Sequence, residues 1–150
     1  SAAGWARMDV SDYPVDRFYD MNNQIWYAPL ADGTVRAGFT PWAAALMGEI
    51  LVCTPKRIGR EFEKDRSFAV IEGGKWVGTA RAAFDGVVAA HNEDVIDRPE
   101  LIGEDAFGAG WMLIVRPARA DWREGLVTGQ AIAPAFAAWL ASDAYKDRAN

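Results

Sequence analysis

Short runs in which apolar residues recur at every second position fill the middle of the chain. Val35, Ala37 and Phe39 alternate with Arg36 and Gly38, the pattern of a half-buried strand. Ile25-Trp26-Tyr27 leads into Ala31-Asp32-Gly33-Thr34, a strand entering an Asp-Gly turn. Residues 49–54 form an apolar run closed by Pro55, and the charged stretch 56–66 turns at Gly59. Residues 68–72 and 75–82 flank Gly73-Gly74 and read as a hairpin. Phe84-Asp85-Gly86 marks another turn, followed by strands at 87–90 and 111–115. The acidic segment 92–110, which carries Pro99, reads as a loop with one helical turn. Strands this short and evenly spaced predict a mainly β fold, a small barrel or sandwich.

Two segments depart from period two. At 40–48, Thr40 suits an N-cap, Pro41 the first helical position and Gly48 the residue past the end, predicting a short helix over 41–47. Near the C-terminus, Pro134 is placed to start a helix. Phe136, Trp139, Leu140 and Ala144 follow at three- and four-residue steps, with Lys146 and Arg148 in a last turn that suits cations. This reads as a terminal helix packed on the barrel. The first residues lack periodicity and read as an extended arm. The chain therefore divides into an arm (1–23), a domain (24–117) and a helical extension (118–150).

Composition narrows the chemistry. The chain has 150 residues, 51% hydrophobic and 25% charged, which is room for one domain with an ordinary core. Sixteen basic against twenty-one acidic residues give a net charge of −5, which argues against nucleic acid or an anionic membrane surface as partner. No apolar run approaches the ~18 residues of a membrane span, and no signal peptide is evident. One cysteine and one histidine rule out a disulfide framework and a multi-histidine or Cys/His metal site, and the lone thiol fits a reducing cytoplasm. His91 reads as a satisfied strand-end residue, with no serine or second histidine spaced to it. Cys53, inside an apolar strand, reads as a small hydrophobe. Glu93-Asp94 and Glu104-Asp105 read as solvated loop charges, able to do acid–base work only if held ~5–10 Å apart across a cleft. The seven tryptophans read mainly as packing.

Lys75 stands apart. It follows Gly73-Gly74 at the tip of the expected hairpin, free to project into water, with no other lysine nearby; the rest of a phosphate-binding loop is absent. Ile71-Glu72-Gly73-Gly74-Lys75 resembles the lipoylation hairpin of the glycine cleavage H proteins and, more distantly, of other lipoyl domains. That family sets a glutamate three residues before the lysine, a glycine sixteen before and a glycine eleven after; here these are Glu72, Gly59 and Gly86. Gly38-Phe39-Thr40 with Leu46-Met47-Gly48-Glu49-Ile50 resembles the strand and helix before the family's barrel. The run from Pro99 to Asp105, with Phe107-Gly108 and Gly110-Trp111-Met112, is similar to its signature loop. The resemblance spans about residues 24–117.

The resemblance implies a flattened β-barrel of two quasi-equivalent halves, of the lipoyl/biotinyl-carrier type. A faint likeness between residues 48–52 and 86–90 agrees with such halves. It also implies a non-catalytic carrier: covalent lipoate on Lys75, installed by a lipoylating enzyme that reads Glu72, Gly73, Gly74, Gly59 and Gly86, with the cofactor supplying the chemistry. A biotin carrier is the neighbouring alternative, but its lysine usually sits between methionines, unlike Gly74 and Trp76. A barrel that has lost its cofactor and serves only as an interaction module is a third.

Departures from the family pattern bear on which enzymes are served. The family's His-x-Trp appears as Gln24-Ile25-Trp26, its Ser-Val before the lysine as Gly73-Gly74, and a bulky Trp76, a possible arm contact, follows where a small residue is usual. These features resemble the lipoate-binding proteins of sulfur-oxidising bacteria. That points to a heterodisulfide-reductase-like complex and sulfur transferases as partners and to sulfur intermediates as cargo. The alternative is a glycine cleavage H protein carrying an aminomethyl group between the glycine cleavage enzymes.

Overall fold

The structure is a computed structural model that describes residues 9–142. Among the described residues nine strands form two antiparallel sheets. The larger contains β1 (Phe18–Asp20), β2 (Ile25–Pro29), β3 (Val35–Phe39), β5 (Glu61–Phe62), β8 (Gly86–His91) and β9 (Leu113–Pro117), in the order β1-β2-β3-β9-β8-β5. The smaller contains β4 (Val52–Pro55), β6 (Ser67–Glu72) and β7 (Val77–Arg81), in the order β4-β6-β7. The facing sides enclose one core, in which Ile25, Tyr27, Phe68, Ile71 and Leu113 have no measurable exposure. This is the mainly β barrel or sandwich that the short strands predict.

β2 explains most of the remaining architecture. Ile25, Trp26 and Tyr27 are all buried, so this strand is covered on both faces. Ile25 and Tyr27 face the barrel core. Trp26 faces the other way, into a second cluster with Tyr13, Tyr19 and Ile132. Its indole Nε1 donates to the Ala106 carbonyl at 3.0 Å, and the Arg17 guanidinium lies 4.3 Å from its ring centroid. Covering this outer face takes both ends of the described chain.

The expected arm is therefore part of the sheet over its last residues. Residues 18–20 form β1, paired in the register Tyr19↔Trp26, and Tyr19 exchanges main-chain hydrogen bonds with Val127 at 2.8 and 3.1 Å. Aperiodicity concealed this because β1 has only three residues. The C-terminal helix is α4 (Ile132–Leu140), after α1 (Pro41–Met47), α2 (Glu93–Asp97) and α3 (Leu101–Glu104). It packs through Trp139, edge-on to Trp42 of α1 at 6.2 Å between ring centroids. Lys146 and Arg148, expected in its last turn, lie outside the described residues.

α1 has the predicted caps: the Thr40 hydroxyl accepts from the Ala43 N–H at 3.2 Å, and Gly48 follows its end. The acidic segment holds two short helices, α2 and α3, where one turn is predicted. Asn92 supplies the missing order: its Oδ1 accepts from the Asp94 N–H at 3.1 Å, and its Nδ2 donates to the carbonyls of Ala109 and Trp111. Among the described residues no helix is long and apolar enough to cross a membrane.

Trp26→Ala removes the residue on which the outer layer is built, together with its buried hydrogen bond. It is expected to cost about 3–5 kcal/mol, read as a lower urea midpoint at unchanged slope.

Candidate functional site

The β6–β7 hairpin pairs Val70↔Thr79, Ile71↔Gly78 and Glu72↔Val77, and the Gly73 N–H continues the ladder to the Trp76 carbonyl at 3.0 Å. Gly74 and Lys75 remain as the tip, and both are exposed. Neither Gly73 nor Gly74 has the left-handed φ that a Gly-Gly turn suggests. Gly73 is required for a different reason. A Cβ there would sit 2.3 Å from Nε1 and 2.4 Å from Cε2 of Trp76, because the indole lies across the glycine. A Cβ on Gly74 would meet only Leu51 Cδ1, at 4.0 Å.

Gly59 and Gly86 are not beside the lysine. Both line a hollow of about 880 Å³ at the base of the hairpin, with Lys56, Arg60, Arg66 and Asp85. The six residues of β6 separate it from the tip, roughly 20 Å of strand. Gly59 turns with φ +88 and donates its N–H to Val88 at 2.8 Å. Gly86 is held by close packing: a Cβ there would approach the Arg116 carbonyl to 2.7 Å and Phe62 Cζ to 2.8 Å. The half-buried Glu72 lies opposite Val77 on the hairpin's outer face, two residues before the tip.

Trp76 closes one side of a second hollow, of about 260 Å³, next to the lysine. Ile71 and Gly78 line it from the hairpin, Phe39 and Met47 from the opposite wall, and Trp139 from α4. Its size and apolar lining suit a short alkyl chain bearing a small sulfur ring, and Met47 adds a polarisable sulfur. Gln24 stands at its edge, buried and left-handed at φ 53. Its Oε1 accepts from the Thr40 hydroxyl at 2.7 Å and its Nε2 donates to the Met21 carbonyl at 2.8 Å, so this amide anchors the start of α1. The sequence signals for this wall are the apolar steps Ala43, Leu46 and Met47 on α1. Nothing in the spacing ties them to Trp76 or Trp139.

The other chemical candidates are engaged in the fold. His91 Nε2 is 2.8 Å from the Lys56 carbonyl. Cys53 is buried, which pushes its thiol up to about 12. Glu104 pairs with Arg98 at 3.6 Å in an exposed ion pair, a geometry of little energetic weight. Asp105 accepts from the Ala109 N–H at 2.9 Å. Among the described residues no group of three or more His, Cys, Asp or Glu is arranged to hold a metal ion.

The hairpin tip thus sets one exposed lysine beside an apolar hollow. The chain belongs to the glycine cleavage H-protein family, whose model matches residues 17–138. That span takes in β1 and most of α4, beyond the 24–117 reached by motif. The chain is 39% identical over 120 residues to glycine cleavage system H protein 5 of Aquifex aeolicus (strain VF5), covering 77% of this chain and 80% of that protein. It is 32% identical over 117 residues to the glycine cleavage system H protein of Bacillus velezensis, covering 78% and 91%. The crystal structure of a glycine cleavage system H protein from Mycobacterium marinum superposes with a TM-score of 0.71 at 28% identity, covering 86% of this chain and 99% of that one.

The indole on Gly73 gives a double-mutant test. Gly73→Ala is expected to destabilise by about 1–3 kcal/mol with Trp76 present and by much less in a Trp76→Ala background. Additive losses in urea unfolding would show that the two residues do not share the space. For Cys53 the raised folded value means that its neutral thiol stabilises fully below the unfolded value near 9, and that this contribution is lost as pH climbs towards 12. Folded protein at pH 8 is expected to resist a chromogenic disulfide reagent until urea exposes the thiol.

Proposed function

We propose that this chain is a lipoyl carrier whose attachment point is Lys75. The observation that carries the reading is the exposed amine at the hairpin tip above an apolar hollow walled by Trp76. The H-protein family, to which the chain belongs, consists of non-catalytic lipoyl carriers, and the residues here fit the group. Lipoate joined to Lys75 would supply a dithiolane whose ring disulfide opens to carry a group on one sulfur. The protein's residues do the rest. The hairpin holds the amine clear of the barrel, Trp76 and Met47 offer apolar cover at the base of the arm, and α1 and α4 keep that cover in place. Burial of apolar surface at ~25 cal/mol per Å² biases an arm towards such a hollow without trapping it.

In this reading a lipoylating enzyme reads the face around Glu72, Gly73 and Gly74. Gly59 and Gly86 contribute at a distance, by fixing the barrel end from which the hairpin rises. The partners best supported are the glycine cleavage enzymes, because the relatives in two bacterial lineages carry that name. A sulfur-oxidising, heterodisulfide-reductase-like system rests on Gln24, Gly73-Gly74 and Trp76. Gln24 ties α1 to the sheet and Trp76 walls the hollow, and neither role demands a sulfur cargo. Glycine cleavage, with the aminomethyl group as cargo, is therefore the service proposed.

Lys75→Arg keeps the charge and removes the acylable amine. It is expected to leave the urea midpoint unchanged and to abolish the lipoyl mass increment after incubation with a lipoylating enzyme. A lipoyl group on Lys56, Lys64 or Lys146 would reject the assignment. The lipoylated chain, supplied to purified glycine cleavage enzymes beside a matched H protein, is expected to support glycine decarboxylation at a comparable rate. Turnover at background, together with sulfur uptake from a sulfur transferase, would restore the sulfur system.

A further inference from the structure

The two edges of the small sheet are treated differently. α2 packs against β4, whereas β7 pairs only with β6. The hydrogen bond from the Gly73 N–H to the Trp76 carbonyl fixes the alternation along the hairpin. Trp76, Gly78 and Ala80 turn their main-chain groups towards β6, so Val77, Thr79 and Arg81 turn theirs outward. Among the described residues no main-chain hydrogen bond engages those outward groups.

Edge strands are usually blunted by charge, proline or a bulge. β7 has no proline, one charge at its far end, and its nearest irregularity at Ser67/Ala69, at the base of the hairpin. At the tip end the protein instead exposes apolar surface: Val77 at 69%, Leu51 at 49% and Val52 at 41%. Val52, Glu72 and Val77 lie directly opposite one another across the three strands, on one face, with no ion pair to the carboxylate among the described residues.

We propose that β7 is the docking edge for the enzyme that acylates Lys75, and that an extended segment of that enzyme adds to it as a fourth strand. The segment bonds the outward main-chain groups of Val77, Thr79 and Arg81, covers Val77 with an apolar side chain, and extends a long cationic side chain over Val77 towards Glu72. The proposal rests on the lipoyl-carrier reading. Its advantage is register: a strand beginning two residues from the lysine fixes the amine in steps of about 3.3 Å relative to the enzyme. A second copy of the chain fits this edge less well. Two-fold pairing centred on Thr79 sets Arg81 of one copy opposite Val77 of the other, laying a charge on the apolar surface that needs cover.

The test uses the full chain, a purified lipoate–protein ligase, lipoic acid and ATP, read by intact mass and by kcat/KM. Thr79→Pro removes only an outward N–H, a change that an edge strand tolerates. It is expected to fold with the wild-type urea midpoint and to lose at least tenfold in kcat/KM, chiefly through KM, while Thr79→Ala keeps the wild-type rate. A wild-type rate for Thr79→Pro overturns the docking edge and leaves the carrier reading intact. A wild-type chain that gains no mass on Lys75 overturns the carrier reading, and the edge with it. If Thr79→Pro fails to fold, Val77→Asp places a like charge beside Glu72 without touching the ladder; the same tenfold loss supports the proposal and an unchanged rate overturns it. A concentration-dependent dimer in sedimentation, abolished by Thr79→Pro, would give the edge to a second copy and also overturn it.

Discussion

The two-sided burial of β2 is the constraint on which the rest of the structure depends. A strand in a small barrel ordinarily shows one face to water, and here Trp26 makes that impossible. An indole of this size must be covered and its N–H must find an acceptor. The Ala106 carbonyl fixes the position of the loop after α3, Arg17 lies over the ring, and Tyr19 and Ile132 close the sides. Through those contacts both ends of the described segment are drawn onto the outer face. α4 is then in position to bring Trp139 to the hollow beside the lysine. The site at one end of the barrel is thus assembled by a residue that touches neither Lys75 nor Trp76.

The fold was legible wherever one physical signal dominated. Alternation marked β3, Thr40-Pro41 at one end and Gly48 at the other marked α1, and the Gly-Gly-Lys sequence marked the hairpin. Legibility failed where tertiary contacts replaced local signals. β1 is three residues long and owes its conformation to its pairing with β2, in the register Tyr19↔Trp26, and to the main-chain bonds of Tyr19 with Val127, more than a hundred residues away. α2 and α3 depend on Asn92, whose side-chain amide bonds two carbonyls far along the loop.

The candidate site divides in the same way. Lys75 could be picked out because its neighbours in sequence are its neighbours in space. The hollow could not, because its walls come from β3, α1, the hairpin and α4. The glycines show the difference between a pattern and its cause. Gly59, Gly73 and Gly86 all stand at informative offsets from the lysine, yet one serves a left-handed turn, one lies beneath an indole and one fits a crowded strand crossing.

The stacking of Trp76 on Gly73 also constrains how such a hairpin can have arisen. Relative to the family pattern that the sequence resembles, Gly73 stands in place of a serine and Trp76 in place of a small residue. Passing from that pair to this one requires two substitutions, and their order is not free. An indole gained first would have met a side chain 2–3 Å away in the space it now occupies. A glycine gained first would have cost only some backbone entropy. The accessible history therefore runs through an intermediate with glycine at 73 and a small residue at 76. The reverse path is open only after the tryptophan has gone, so the indole holds the glycine in place while no such clash holds the indole.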